Sequence, residues 1–481
     1  MTVDSAPIRE AVIVGAGIAG IGMAARLRRA GIRDFLVLER AERIGGTWRD
    51  NVYPGVACDI PSHLYEYSFR PKPDWTRRFA PGAELLEYLD ATVVAEGVDA
   101  HLRLGTALER AEWLEERGCW LLRTSTGTVR SRALVMAAGR LSEPRMPDVA
   151  GLDGFAGPVA HSANWTAPEL EGRSVGVVGT GASAVQLVPE LAGRAARLIV
   201  FQRTPAWVLP REDAAYAPSE PRPSRRELAA QAEGLFAARL RGSPEGAALA
   251  RRAREHLRRQ VADEELRRRL APTAEIGCKR AVFSDRFYPA LARDDVTLEA
   301  SALAGIADDG RTALAASGAQ YRLDALILAT GFETVRPPFA RLIRARRRSL
   351  DEHWRDGMTS YASVVVSGFP NLFVLDGPNA ALGHHSAFEV IEAQIDYVLG
   401  ALDHLRRHGG ALEVSPEAEA AYTARIERMA ARTVWAAGCG NRYVDPRSGR
   451  LTVIWPERAS RFRALNGRFD PAPFLGAAAR R

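Results

Sequence analysis

The sequence predicts an α/β protein built on two parallel, doubly wound sheets with a helical insertion, and three observations predict it. The apolar run Ala11-Val-Ile-Val14 leads directly into Gly15-Ala-Gly17-Ile-Ala-Gly20. A second run, Val175-Gly-Val-Val178, leads into Gly179-Thr-Gly181-Ala-Ser-Ala184. Each reads as a buried strand, a tight turn and a helix start, an arrangement that aims helix N-terminal amides at a pyrophosphate. One such glycine motif is a weak signal, but two in the same strand–turn–helix setting are a strong one. The third observation is the residue that ends the strand after each motif. Phe35-Leu-Val-Leu38 ends in Glu39, whereas Leu198-Ile-Val-Phe201 ends in Gln202-Arg203-Thr204.

Those two endings differ in chemistry. A carboxylate such as Glu39 accepts hydrogen bonds from ribose hydroxyls, and an acid there would repel a 2′-phosphate. Arg203 would attract one. The first site therefore suits the adenosine ribose of FAD or NAD, and the second suits NADPH. The fold class that follows is two Rossmann-like dinucleotide-binding domains in one chain, which moves a hydride between them.

Along the chain, residues 1–150 hold the first part of the FAD-binding domain, ending on the strand Ala133-Leu-Val-Met-Ala-Ala-Gly139. Residues 142–154 are rich in Pro and Gly and read as a linker. The NADP-binding domain occupies 151–330 and is interrupted at about 213–270 by an Arg- and Ala-rich helical insertion. It resumes with Val296-Thr-Leu298 and closes at Ala325-Leu-Ile-Leu-Ala-Thr-Gly331. From 331 to 481 the chain returns to complete the FAD-binding domain and adds a C-terminal segment. Nothing repeats beyond the duplicated fold.

Composition narrows the class. The chain has 481 residues, 47% apolar and 26% charged, which is ordinary globular composition with room for two or three cores. No apolar run approaches the roughly 18 residues of a membrane span. The start, Met1-Thr-Val-Asp-Ser5, lacks a basic stretch followed by an apolar one, so the expected compartment is the cytoplasm. Cys58, Cys119, Cys278 and Cys439 lie far apart with no CxxC pair. That spacing speaks against a zinc site, a disulfide framework and the dithiol of a pyridine-nucleotide disulfide reductase. The net charge is +7, and much of the excess sits at Arg225-Arg226, Arg251-Arg252, Arg258-Arg259 and Arg267-Arg-Arg269. Those arginines alternate with Ala, Leu and Glu at helical spacing, which reads as a solvated helical face rather than a nucleic-acid surface. The oligomeric state leaves no mark in the sequence.

Between the two nucleotide folds stands Phe155-Ala-Gly157-Pro-Val-Ala-His161-Ser-Ala-Asn-Trp165-Thr166. This resembles the FxGxxxHxxxW(P/D) fingerprint of Baeyer–Villiger monooxygenases, with Thr166 where the family generally has Pro or Asp. The resemblance extends to Gly45-Gly-Thr-Trp48, Tyr53-Pro-Gly55, Cys58-Asp59, Gly277-Cys-Lys-Arg280, Ala329-Thr-Gly331 and Gly368-Phe-Pro-Asn-Leu-Phe373. It is weak over 213–270 and over the last forty or so residues, where Asn441-Arg442-Tyr443 replaces the Ser-Trp-Tyr of many relatives.

The resemblance implies an FAD-dependent enzyme that consumes NADPH and O2 and inserts one oxygen next to the carbonyl of a small ketone or aldehyde, through a C4a-peroxyflavin. It assigns Arg280 to stabilise the peroxide anion, a task for a permanently charged guanidinium, with Asp59 as its acidic partner beside the flavin. Lys279, Arg203 and Thr204 are the expected hold on the 2′-phosphate. Gly46, Thr47, Trp48 and Tyr65 are expected against FAD, and Thr330 and Gly331 at the end of the second nucleotide fold. His161, in what reads as an interdomain linker, is expected to couple domains rather than move protons, and Trp165 to be a packed anchor. The doublet His384-His385 has no carboxylate or cysteine at ligand spacing, so it reads as a segment leading into a helix near the isoalloxazine, and no metal is expected. Two other activities fit the same residues: oxygenation of nitrogen, sulfur or activated carbon, and flavin reduction without oxygen insertion. Neither a nucleic-acid nor a membrane partner is expected.

Overall fold

A computed structural model describes residues 7–166, 168–217 and 221–475. The chain opens with β1 (Ile8–Val14), α1 (Ile18–Arg29) and β2 (Phe35–Leu38), a parallel strand–helix–strand unit. After α2 (Thr47–Asp50) and α3 (Gly82–Glu96) come β3 (Leu102–Arg103), β4 (Leu108–Leu114), β5 (Cys119–Thr124) and β6 (Gly127–Met136). The second sheet begins with β7 (Val159–His161) and β8 (Ser174–Val178), followed by α4 (Ala182–Leu191) and β9 (Arg197–Phe201). Beyond the short β10 (Val208–Leu209) lie the helices α5 (Arg225–Gly234), α6 (Pro244–Gln260) and α7 (Glu264–Leu270). Next come β11 (Val282–Phe283), α8 (Phe287–Leu291) and β12 (Val296–Glu299). A small antiparallel sheet, β13 (Leu303–Ile306), β14 (Thr312–Ala315) and β15 (Gln320–Arg322), precedes β16 (Ala325–Leu328). Then β17 (Ile343–Ala345), β18 (Arg348–Ser349), α9 (Leu350–His353), β19 (Leu372–Val374) and the long α10 (Ala387–His408) follow.

Among the described residues the larger sheet runs β18-β17-β4-β5-β6-β1-β2-β3, with β19 also paired to β6. Strands from 343 onward therefore join the sheet that the N-terminus begins. The second sheet runs β12-β9-β8-β16-β7, all parallel. Central parallel strands are covered on both faces, which is why they read as unbroken apolar runs. Ala11, Ile13, Val37 and Val135 pack into one core while Val12, Leu36, Leu134 and Met136 pack into the core on the other face. The second sheet divides the same way: Val175, Leu198 and Ile327 face one core, and Ile199, Leu326 and Leu328 face another.

Helices of the insertion start on side-chain caps: Ser224 with Glu227 at α5, Ser243 at α6 and Asp263 at α7. Such caps satisfy amides that the first turn leaves open. Along α6 Ala253 and Leu257 are buried while Arg251, Arg252, Arg258 and Arg259 are exposed. No helix among the described residues is long and apolar enough to cross a membrane.

Two expectations are corrected. Cys278 and Cys439 form a disulfide, with Cα atoms 6.4 Å apart despite a sequence separation of 161. Spacing along the chain says nothing of two segments that the fold brings together, so the absence of a CxxC pair was no guide. His161 lies in β7, an edge strand paired with β16, and not in a linker. A three-residue strand is too short for its alternation to show in sequence.

Candidate active site

At two glycines of the first motif, Gly15 and Gly20, the backbone leaves no room for a side chain. Gly15 has φ +107°, and a Cβ there would lie 2.4 Å from the Ala137 carbonyl oxygen. A Cβ at Gly20 would lie 1.8 Å from the Gly15 carbonyl oxygen. The α1 helix starts at Gly17 with no side-chain cap, so its first amides are open to an anion. Gly46 packs against this turn, its own Cβ position 3.0 Å from Gly17 Cα, and Thr47 and Trp48 begin α2 beside it. Glu39, 5% exposed, accepts from the Ala16 amide at 2.8 Å, the Ala41 amide at 3.0 Å and Arg49 Nη1 at 2.9 Å. Its carboxylate thus sits directly behind the glycine turn.

The second motif repeats the geometry. Gly179 has φ +114°, its Cβ position 2.6 Å from the Ala329 carbonyl oxygen, while a Cβ at Gly181 would meet nothing within 4 Å. The α4 helix starts at Gly181 without a side-chain cap, and Ala184 is fully buried behind it. Gln202 is buried and donates to the Arg269 carbonyl at 2.8 Å, so its amide is engaged in holding α7. Arg203 is exposed. Burial, and then the charge of Arg203, lower the Lys279 ammonium below its usual value. Two cations facing each other with no acid paired to either among the described residues suit a phosphate. The Thr204 carbonyl accepts from Thr180 Oγ1 at 3.2 Å. Thr330 Oγ1 donates to the Arg145 carbonyl at 2.7 Å, and the Gly331 carbonyl accepts from the Arg145 amide at 2.8 Å.

Asp59 and Arg280 form an ion pair, both partly buried. The Asp59 charge is the main reason that the Arg280 guanidinium is held above its ordinary value, firmly protonated. Tyr65 meets Trp48 edge-on at 5.7 Å and Phe388 at 4.9 Å, and burial raises its hydroxyl well above the usual range. The loop that carries Asp59 is itself docked on α4. Tyr53 Oη donates to Gln186 Oε1 at 2.9 Å, Gln186 Nε2 donates to the Ala57 carbonyl at 2.9 Å, and Gly55 lets the loop approach the Gln186 carbonyl.

Sequence reasoning missed four residues here. Arg140 pairs with Asp376, and burial pushes its guanidinium down to about 10, with Tyr65, Arg280 and Tyr443 in electrostatic reach. Both partners lie just past the carboxyl ends of parallel strands, β6 and β19, where open α/β sheets take their ligands. That position was the available signal. Tyr443 and Arg239 carried none, since they come from the two segments whose family resemblance is weakest. The disulfide ties the Gly277–Arg280 segment to 433–445, and Asn441 Nδ2 braces that turn by donating to the Trp435 carbonyl at 2.8 Å.

The histidines take separate places. His161 Nδ1 accepts from the Ala163 amide at 3.1 Å, which puts the proton on Nε2, and burial lowers its pKa. Trp165 packs partly buried against the core of the second sheet. His384 and His385 are buried and lead directly into α10, whose start Ser386 caps. Among the described residues no group of three His, Cys, Asp or Glu could hold a metal ion.

Residues 12–219, which include both glycine motifs, match the family profile described as pyridine nucleotide-disulphide oxidoreductase. A Baeyer-Villiger monooxygenase of Streptomyces coelicolor is 41% identical over 97% of this chain and 92% of its own length. A Baeyer-Villiger monooxygenase of Pseudomonas aeruginosa is 39% identical over 97% of this chain and 91% of its own. Among solved structures, OTEMO in complex with FAD and NADP superposes with a TM-score of 0.85 at 28% identity, covering 96% of this chain and 97% of that one. The closed crystal structure of cyclohexanone monooxygenase gives 0.85 at 26% identity, with coverage of 96% and 97%.

Proposed function

Because this chain belongs to the Baeyer–Villiger monooxygenase family, we propose that it binds FAD and NADPH and inserts one oxygen atom of O2 beside the carbonyl of a small ketone or aldehyde. We read residues 1–150 and 331–481 as the FAD-binding part and 151–330 as the NADP-binding part. When bound, FAD reduced by NADPH supplies the activation of dioxygen. The residues present fit both groups: two glycine turns that a Cβ would obstruct, each with an uncapped helix start, and a facing pair of cations beside the second.

The observation that carries this reading is the Asp59–Arg280 pair, whose Asp59 loop is docked on α4. Arg280 offers a fixed positive charge where an oxygen anion must be stabilised, and in a partly buried site that charge is strong. Asp59 orients the guanidinium and keeps it protonated. Arg203 and Lys279 hold the 2′-phosphate, with Thr204 beside them, and Glu39 accepts from the ribose of FAD. Trp48 and Tyr65 form the wall against the ring system. Thr330 and Gly331 close the floor of the second groove through Arg145. His161, held neutral in β7, is a packing residue that couples the second sheet to the Gly331 turn.

The test supplies the FAD-loaded protein with NADPH, isotope-labelled dioxygen and either a ketone or a thioether. Labelled ester from the ketone is expected. Sulfoxide without ester would move the reading to heteroatom oxygenation. Hydrogen peroxide with neither product would reduce the protein to a flavin reductase.

A further inference from the structure

Among the described residues Arg239 is a buried cation without an anion. It ends a short helical turn, Leu235–Arg239, in the helical insertion, and is 7% exposed. Its Nη2 donates to the Gly383 carbonyl at 3.2 Å, and its Nη1 is buried with no hydrogen-bond partner. Three other guanidiniums of the centre have acids: Arg49 meets Glu39 and Asp50, Arg140 meets Asp376, and Arg280 meets Asp59, while Arg211 rests on the Cys58 carbonyl. Among the described residues no carboxylate lies within ion-pair distance of Arg239. An arginine stays charged in a protein, and an unpaired buried charge is strongly unfavourable. The fold that retains one keeps it for an anion that arrives.

Its surroundings say where that anion binds. Nη1 lies 2.9 Å from the position a Cβ would take at Gly277, three residues before Arg280. Arg280 and Tyr443 both act on the Arg239 charge. His384, 4% exposed, adjoins it, with both ring nitrogens unpartnered. Burial first, and Arg239 second, push the His384 pKa down to about 3. The ring is therefore neutral and has a hydrogen bond to give. Phe236, Val434, Trp435 and Tyr443 make the nearby wall apolar. One cation and one neutral donor in an apolar wall near Arg280 suit a molecule with a hydrocarbon body and a single acidic end. On the proposed reading NADP would not need this cation, since Arg203 and Lys279 would hold its 2′-phosphate and the α4 start its pyrophosphate.

The geometry points to an oxo acid as the substrate class: Arg239, assisted by His384, binds the carboxylate while Arg280 serves the carbonyl end. This rests on the oxygenase reading of the same site. It makes Arg239 a specificity-determining residue drawn from the insertion and not from either nucleotide fold.

Calorimetric titration of the FAD-loaded protein, with NADP⁺ present, tests this with levulinate and a medium-chain oxo acid, each against its methyl ester. The wild type should bind the acids about tenfold or more tighter than the esters, as a charge-assisted pair implies. Arg239→Met should abolish that gap, and Arg239→Lys should keep part of it. No gap in the wild type, or a gap that survives in Arg239→Met, overturns the proposal. So does a loss of NADP⁺ affinity as large as the loss for the acids, since the anion would then be a phosphate of the coenzyme. Should Arg239→Met fail to hold FAD, the lysine variant and the wild-type comparison decide the matter. An Arg239-dependent gap without ester product would leave the anion site standing and remove the oxygenase reading alone.

Discussion

Arg280 and Arg203 carry the same charge, yet their removal should leave opposite kinetic marks. Arg280 is paired with Asp59 and partly buried, and the role proposed for it begins once oxygen has reacted. Arg280→Ala should lower ester formation by about a hundredfold or more, while NADPH is still consumed and hydrogen peroxide appears. Arg280→Lys should rescue little, because an ammonium lacks the planar fork that Asp59 grips. Product chromatography alongside a peroxide assay reads this, and undiminished ester from Arg280→Ala would remove the assigned role. Arg203 is exposed and faces Lys279. Arg203→Ala should raise the KM for NADPH by about ten- to a hundredfold with kcat nearly unchanged, the signature of lost uniform binding. Steady-state kinetics with NADPH and NADH would show it, and a wild type indifferent between the two coenzymes would contradict it. Arg203 and Arg280 were legible because each stands beside a motif. Arg239 was not, because what distinguishes it is a missing partner, and a sequence does not display the acids that fail to come near.

At the scale of elements, the segment leading into α10 has a pH signature. His384 is neutral when folded, with a pKa of about 3 set by burial and by Arg239, His385 and Arg458. Its unfolded value is about 6.5. A histidine with a lowered folded pKa takes up its proton only on unfolding. Stability is therefore lost as pH falls from about 6.5 toward about 3, and the slope approaches roughly 1.4 kcal/mol per pH unit. His384→Leu should flatten the change in urea-derived stability between pH 6 and pH 5 by about 1 kcal/mol, and an unchanged slope would show that the ring is already protonated. The strands that carry the glycine turns were readable because burial on both faces makes them continuous apolar runs, as in β1 and β8. β7 was missed because three residues at a sheet edge are specified by their pairing with β16, a long-range contact. The centre of the site was legible only in part for the same reason: Asp59 and Arg280 lie in motifs, whereas Arg140, Asp376 and Tyr443 are joined by tertiary packing.

For the whole molecule, the disulfide fixes a topology. Oxidised, the chain is a closed ring from Cys278 to Cys439 with two tails, and the ring contains β12 and β16 of one sheet and β17, β18 and β19 of the other. Closing a loop with a separation of 161 residues removes about 5 kcal/mol of chain entropy from the unfolded state in the loop-closure picture. A thermal melt with reductant, or of Cys439→Ser, should fall several degrees below that of the oxidised wild type, and coincident melts would show that the bridge does not form in solution. The bond outlasts the fold that made it. A heated, oxidised chain still holds Lys279 and Arg280 near Asn441 and Tyr443, so its denatured ensemble keeps one corner of the candidate site tethered before any strand has paired.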